Sequence, residues 1–374
     1  MSVFIIEKMN ETKMEKVPFA TFMEWALYDE TNGYYMKEKT KIGKDGDYYT
    51  ASHVHNVFGK VFAKTFYDVL TMENLPPAIC EFGGGSGRFA YGVLEEMKTV
   101  SPKIFSQLTY ILIEASPYHR KLQQQLLKHF PQVKIFPDLQ EAKRAIPHFQ
   151  GILFSNEWFD ALPVHLVEHQ DGTLYEYFVA ANNNELVWKK EKCQNKKILA
   201  WIEKYGPPLK NGQKIEVPLA MTAMLKEIAQ WLSRALMFTI DYGYTKEEWS
   251  MPERMDGSLR GYYEHQLITN PLLYAGEMDI TAHIHLDAFV QIGEELGLKT
   301  ILSTRQDRFL LQAGILEYLQ NHFDPNPFSE QSKQNRAVRS LIMDGGISQH
   351  FQVIVQGKNL HHADEYPFLR RHLF

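Results

Sequence analysis

The segment Ala78-Ile79-Cys80-Glu81-Phe82-Gly83-Gly84-Gly85-Ser86-Gly87-Arg88 limits the fold more than any other stretch of the chain. A short apolar run ends in an acid and breaks into glycines. An apolar, helix-compatible stretch from Phe89 to Met97 follows. Strand, tight turn and helix start, in that order, make the first βα turn of a doubly wound sheet, the place where nucleotide-like cofactors bind. Glycines there permit positive φ and let a ligand approach the backbone closely.

The glycine spacing discriminates between cofactors. A dinucleotide fingerprint needs G-x-G-x-x-G. Counting from Gly83 puts Arg88 where the third glycine belongs, and counting from Gly84 puts Ser86 where the second belongs. A NAD-dependent dehydrogenase, the rival on the same fold, is disfavoured. The pattern that fits is E-x-G-x-G-x-G from Glu81 to Gly87. It resembles motif I of Rossmann-like S-adenosylmethionine (SAM) methyltransferases, which makes Glu81, Gly83, Gly85 and Gly87 candidate cofactor residues. SAM carries an amino-acid moiety and a sulfonium cation, so an acid beside the loop is useful.

The next unit supports the same reading. Leu108-Thr109-Tyr110-Ile111-Leu112-Ile113-Glu114 is a buried-strand pattern ending in an acid. In this fold the acid after the second strand accepts hydrogen bonds from ribose hydroxyls. Glu114-Ala115-Ser116-Pro117 also looks like a helix start, which gives Glu114 a second reading as a helix N-terminal acid. The two roles are compatible.

Composition bounds the alternatives. The 374 residues, 44% of them hydrophobic, suffice for a large core. A formal net charge of −5 gives no global basic footprint for nucleic acid. Cys80 and Cys193 do not make a disulfide framework, which points to a reducing compartment. Glu7, Glu11 and Glu15 argue against a transit peptide, and no apolar run is long enough to span a membrane. A cytoplasmic location without membrane insertion is the expectation.

Four segments are expected. Residues 1–75 form an N-terminal extension, mostly helical from Pro18, with a Gly- and Tyr-rich loop between Asn32 and Thr50 and a helix over Val57 to Leu70. Residues 76–163 carry the first half of the cofactor-binding sheet, with strands near 79–82, 109–114, 133–136 and 151–155. Residues 164–235 are an insertion. It opens with short alternating strands and an Asp171-Gly172 hairpin signal, and ends in a helix around 219–234. Residues 236–374 return to the sheet with a strand at 236–241, a helix at 286–296, and strands near 299–302 and 351–357. Within them, 243–285 reads as a loop with little regular structure. The fold class is α/β: a Rossmann-like, mainly parallel sheet with helices on both faces, a helical extension and an inserted hairpin-rich substrate region.

Taken in order, these pieces resemble the MidA-like SAM-dependent methyltransferases, a family that includes the mitochondrial complex I assembly arginine methyltransferase. The resemblance runs through Phe22-Met-Glu-Trp-Ala-Leu-Tyr, Gly33-Tyr-Tyr, Gly46-Asp-Tyr-Tyr-Thr-Ala, the glycine loop and Asn156-Glu-Trp-Phe-Asp-Ala-Leu-Pro-Val. It continues through Asp241-Tyr-Gly-Tyr, Gly257-Ser-Leu-Arg-Gly-Tyr-Tyr-Glu-His, Asp279-Ile-Thr-Ala-His and Gln306-Asp-Arg-Phe-Leu to the Phe351-Gln-Val-Ile-Val strand. There are departures. Ser52 and His53 stand where the family usually has a proline and an acid, and Gly84 stands where a proline is common. The resemblance implies SAM as cofactor, S-adenosylhomocysteine as product, and a protein arginine as acceptor, of complex I type or a bacterial counterpart. It also implies that the N-terminal extension, through Asp47 and Thr50, folds over the cofactor, and it makes His265 a candidate general base.

Methyl transfer needs a positioned nucleophile and a destination for one proton. Asn156, Glu157 and Asp160 follow the fourth strand, at the carboxyl edge where ligands bind. Glu157 and Asp160 could clamp a guanidinium by charge-assisted hydrogen bonds; the bland alternative is a helix cap at Asp160 and a solvated Glu157. Asn156 is assigned to the cofactor or to ordering its loop. Asp241 ends the fifth strand, and Tyr242 and Tyr244 either wall a substrate pocket or simply pack. Asp138 either approaches the adenine or is a turn residue. His53-x-His55 and His283-x-His285 fall outside any metal-site pattern, and no metal is expected. Two other functions stay open: methylation of a small molecule or another side chain, and a non-catalytic assembly chaperone.

Overall fold

The computed structural model describes residues 3–39, 41, 56–321, 326–343 and 347–370. Asp47 and Thr50 lie outside them. The chain forms two compact units: Met1–Tyr48 with Phe159–Glu227 and Gly243–Ile292, and Tyr49–Trp158 with Ile228–Tyr242 and Gly293–Phe374. The linear segments regroup in space. The described residues up to 41 group with 159–227 and 243–292, and the boundaries read at 75, 163 and 235 do not coincide with this grouping.

The strands in chain order are β1 (Lys16–Pro18), β2 (Ala78–Phe82), β3 (Thr109–Ile113), β4 (Val133–Phe136), β5 (Phe149–Asn156), β6 (His165–Gln170), β7 (Thr173–Asn182), β8 (Glu185–Lys192), β9 (Lys214–Val217) and β10 (Leu232–Tyr244). They continue with β11 (Arg260–Tyr263), β12 (Gln266–Ile268), β13 (Asp279–Thr281), β14 (Ile284–His285), β15 (Lys299–Arg305) and β16 (Phe351–Lys358).

The second unit is built on a sheet of order β15-β16-β10-β5-β2-β3-β4. Strands β10, β5, β2, β3 and β4 run parallel, and β16 and β15 close one side antiparallel. The chain lays β2, β3 and β4 outward and then returns to place β5 on the other side of β2. The order therefore reverses between β2 and β5, and in open α/β sheets the ligand crevice forms outside the carboxyl ends at such a point. The strands are near-continuous apolar runs because both faces are covered. Phe154 and Phe238 point to one face, Leu153 and Met237 to the other, and all are buried. Helices Val57–Met72, Arg88–Val100, Gln306–Gln312 and Glu330–Ile342 contribute to the core on the Phe154 face. Aromatic rings fill it: Phe89 stacks on Phe154 at 4.0 Å and 6°, and Phe62 stacks on Phe309 at 5.2 Å. Each such side chain stabilises the fold by about 1.5–3 kcal/mol through burial.

The first unit is mostly antiparallel. One sheet has the order β1-β7-β6-β9, with β8 on the other edge of β7; a second has the order β12-β11-β13. Helices Val3–Glu11 and Phe19–Tyr28 bury Ile5, Met9, Phe19, Phe22, Met23, Ala26 and Leu27 against Val164, Leu166, Val179, Met278 and Ile280. The expected Asp171-Gly172 hairpin is present, with both residues at positive φ (47° and 73°). Asn183-Asn184 makes a second two-residue hairpin, and Glu264-His265 a third. The third corrects the reading of 243–285 as a loop: β11, β12 and β13 lie inside it. Glu and His are not the residues that announce a left-handed turn, so no hairpin signal is legible there.

Candidate functional site

The turn after β2 obtains its shape from its own backbone. Gly83, Gly85 and Gly87 sit at φ of 66°, 50° and 84°, a region that L side chains rarely adopt. The loop is then tied from the next βα unit. Gly83 N–H donates to Ile113 O (2.9 Å), Gly85 N–H donates to Glu114 Oε2 (3.0 Å), and Gln123 Nε2 donates to Gly85 O (2.8 Å). Gln123 is fully buried, with its Oε1 unpartnered.

Glu114 is 7% exposed. Its Oε1 accepts from Ser116 N–H (2.9 Å), and Ser116 caps the helix Pro117–Leu126 by accepting from His119 N–H. A carboxylate offers about four lone-pair sites, and these two backbone bonds use two of them. The acid thus braces the glycine loop and the following helix start while keeping acceptor capacity.

Glu81 lies underneath. Its Oε2 accepts from the Tyr110 hydroxyl (2.6 Å), and both residues are buried. Burial pushes the Glu81 carboxyl up to about 8; the Tyr110 bond opposes this and the charge of Glu114 adds to it. A Cβ on Gly84 would come within 3.2 Å of Glu81 Oε1. Glu81 therefore supports the loop from below.

Strand β5 ends beside this turn. Phe82 is in register with both Ile113 and Ser155, and Ser155 with Thr239. Asn156 Nδ2 donates to Glu157 Oε1 (3.0 Å), and Asn156 Oδ1 is buried without a partner. So are Ser155 Oγ and Thr239 Oγ1. Buried polar atoms left unpaired at the ligand-binding edge of a sheet mark a place where a polar ligand fits. Glu157 holds φ 51° with its N–H donating to Ile240 O (2.9 Å), a conformation that costs a non-glycine residue about 1–3 kcal/mol and clusters at functional sites.

The remaining sequence candidates fall as follows. Asp241 is buried at the end of the sheet portion of β10, and its Oδ1 accepts from Tyr242 N–H (2.9 Å). Tyr242 packs on Phe351 at 4.0 Å between ring centroids. Asp138 caps the helix Leu139–Ala145, accepting from Glu141 N–H (2.8 Å). In the first unit, Asp160 is 4% exposed and its carbonyl accepts from Ala282 N–H. His265 is exposed at the tip of the β11–β12 hairpin, at φ 62°. Tyr244 stacks on His283 at 4.5 Å. His285 donates through Nε2 to Glu216 O (2.8 Å) and stacks on Trp249. Among the described residues no group of three or more His, Cys, Asp or Glu side chains could hold a metal ion, and no helix is long and apolar enough to cross a membrane.

The sequence reading missed several organising residues. Glu216 is fully buried and accepts from Ser258 N–H, Ser258 Oγ and Leu259 N–H at 2.9–3.2 Å, which pins the Gly257-Ser-Leu-Arg-Gly motif. Tyr35 donates to Asp279 (2.6 Å) across 244 positions of sequence. Gln123 reads in the sequence as one of three consecutive glutamines, and nothing there distinguishes it.

A strand-order reversal, a glycine turn braced by a carboxylate, and unpaired acceptors on the adjoining strand define a Rossmann-like cofactor-binding protein. Residues 61–304 match the family described as "Putative S-adenosyl-L-methionine-dependent methyltransferase", and the chain belongs to that family. Its cofactor is S-adenosylmethionine. The chain is similar to a crystal structure from Burkholderia thailandensis bound to S-adenosyl-homocysteine. The two share 25% identity at a TM-score of 0.86, over 99% of this chain and 94% of that one. It is also 23% identical to the Drosophila melanogaster "Protein arginine methyltransferase NDUFAF7 homolog, mitochondrial", over 94% of this chain and 84% of the relative. The Mus musculus "Protein arginine methyltransferase NDUFAF7, mitochondrial" is 22% identical; the match covers 72% of this chain and 64% of the relative.

Proposed function

We propose that this SAM-dependent methyltransferase acts on a protein side chain, and that the side chain is an arginine guanidinium. The reading rests on Glu157, a half-buried carboxylate held in a left-handed backbone at the carboxyl end of β5. The names of the fly and mouse relatives support it. SAM supplies a methyl group on a sulfonium, whose departure as a neutral thioether drives the displacement.

The protein's own residues do the rest. Gly83, Gly85 and Gly87 let the ligand approach the backbone, and Glu114 retains acceptors for the ribose hydroxyls. Asn156 turns its unpaired Oδ1 to the cofactor or orders the Glu157 turn. Glu157 orients the guanidinium by charge-assisted hydrogen bonds and takes the proton that the attacking nitrogen loses. Asp160 is assigned to the same substrate. Asp241 and Tyr242 serve the acceptor side, Asp138 the adenine, and His265 remains the alternative proton acceptor.

Glu157→Gln tests this. It keeps the backbone turn and the partner of Asn156, so SAM affinity should stay within about 2-fold, whereas kcat for transfer to an arginine-bearing protein should fall about 100-fold or more. Unchanged turnover would remove Glu157 from the mechanism. Methyl label recovered on another residue type would overturn the arginine assignment.

A further inference from the structure

Trp158 has no part in the roles assigned above, yet it occupies the switch-point crevice. Its indole lies against Phe82, the last residue of β2, with ring centroids 4.7 Å apart. A Cβ placed on Gly83 would stand 2.6 Å from Trp158 Cδ1 and 3.2 Å from Cγ. The glycine at 83 thus does two things: it adopts φ 66°, and it leaves the space the indole fills. The strained residue Glu157 is what turns the chain so that the next side chain lands on the glycine loop. Trp158 is half-buried.

A sulfonium has no N–H or O–H to donate, so a neutral acceptor such as Asn156 Oδ1 meets its charge only as the end of a dipole. A carboxylate or the negative face of an aromatic ring meets it more fully, and among rings tryptophan is the strongest. The Glu81 carboxyl is buried beneath the loop and bonded to Tyr110, with an affinity for protons raised by that burial. Glu114 braces Gly85 and Ser116. We propose that Trp158 is the charge-sensing wall of the cofactor crevice, a specificity residue that makes the protein hold the cationic methyl donor more tightly than its neutral thioether product. This does not depend on which acceptor is methylated.

Calorimetric titration with SAM and, separately, with S-adenosylhomocysteine tests it on wild type, Trp158→Phe and Trp158→Leu. The preference for SAM over product should fall about 3-fold in Trp158→Phe and about 10-fold in Trp158→Leu, with product affinity moving less than about 2-fold. Saturable quenching of tryptophan fluorescence by SAM should be present in wild type and lost in Trp158→Phe. An unchanged preference in Trp158→Phe, whether both ligands weaken together or neither does, overturns the proposal. So does a preference that survives both Trp158 changes but collapses in Glu157→Gln, which would hand the role to the carboxylate. Should Trp158→Leu fail to fold, Trp158→Phe decides alone. No SAM binding by wild type overturns the cofactor crevice and this proposal with it.

Discussion

The glycine loop after β2 and the Gly257-Ser258-Leu259 loop of the other unit are both held in fixed, non-repetitive conformations, by different means. The first has three left-handed glycines and is tied to Glu114 and Gln123, which come from the βα unit that follows it. The second has one left-handed glycine, Gly257, and hangs on a single fully buried carboxylate. Glu216 receives three donors there, and a Cβ on Gly257 would stand 2.4 Å from its Oε1. In one loop the conformation is written into the backbone, so an added side chain is what breaks it. In the other it is written into one acceptor, so a lost side chain is what breaks it.

The sharpest break is Gly85→Arg. It forces a long side chain onto φ 50° at the residue whose N–H and C=O are both engaged. SAM affinity should drop about 100-fold or more while the unfolding transition of the protein survives, because the left-handed conformation costs an L-residue only about 1–2 kcal/mol. Calorimetry alongside circular dichroism reads both, and normal SAM binding would relocate the site.

Glu216→Ala comes next. It leaves two backbone N–H groups and a hydroxyl without their buried acceptor, at about 1–3 kcal/mol each before relaxation. Hydrogen exchange should rise over 257–263 with the glycine loop unchanged. If protection at 83–87 falls equally, the two loops are not independently specified.

The smallest effects are pH-dependent and have opposite signs in the two units. Burial raises Glu81 to about 8, so the folded chain keeps a proton that the unfolded chain releases near 4.5. Its contribution to stability is full below 4.5 and declines as pH rises to 8. Burial lowers His285 from 6.5 to about 4, against the bond to Glu216 O. Its contribution is full above 6.5 and is lost as pH falls toward 4. Thermal melts should therefore show Glu81→Gln gaining on wild type between pH 5 and 8. His285→Gln should gain between pH 6.5 and 4.5. Parallel curves for the two variants would remove the contrast.

Most of the sheet was legible because its signals are short-ranged. The runs at 79–82, 109–114, 133–136 and 151–155 became β2 to β5, with Glu114 just past the end of β3, and Asp171-Gly172 turned as its residues require. The hairpin at Glu264-His265 was illegible: its left-handed turn is imposed by the pairing of β11 with β12 and β13, not by the two residues in it. Trp158 read as one more apolar residue in a family motif until its ring was placed on Gly83.

The βα turn, the kind of cofactor that its glycine spacing admits and the acid that follows β3 are legible locally, since each depends on residues within a few positions of one another. Which distant side chains hold the chain in place emerges from three-dimensional packing: Tyr35 on Asp279, Glu216 on Ser258, Gln123 on Gly85. Those partners are 244, 42 and 38 positions apart. A buried donor or acceptor must find its complement somewhere in space, and which of many chemically equivalent tyrosines, acids or glutamines supplies it is settled by packing.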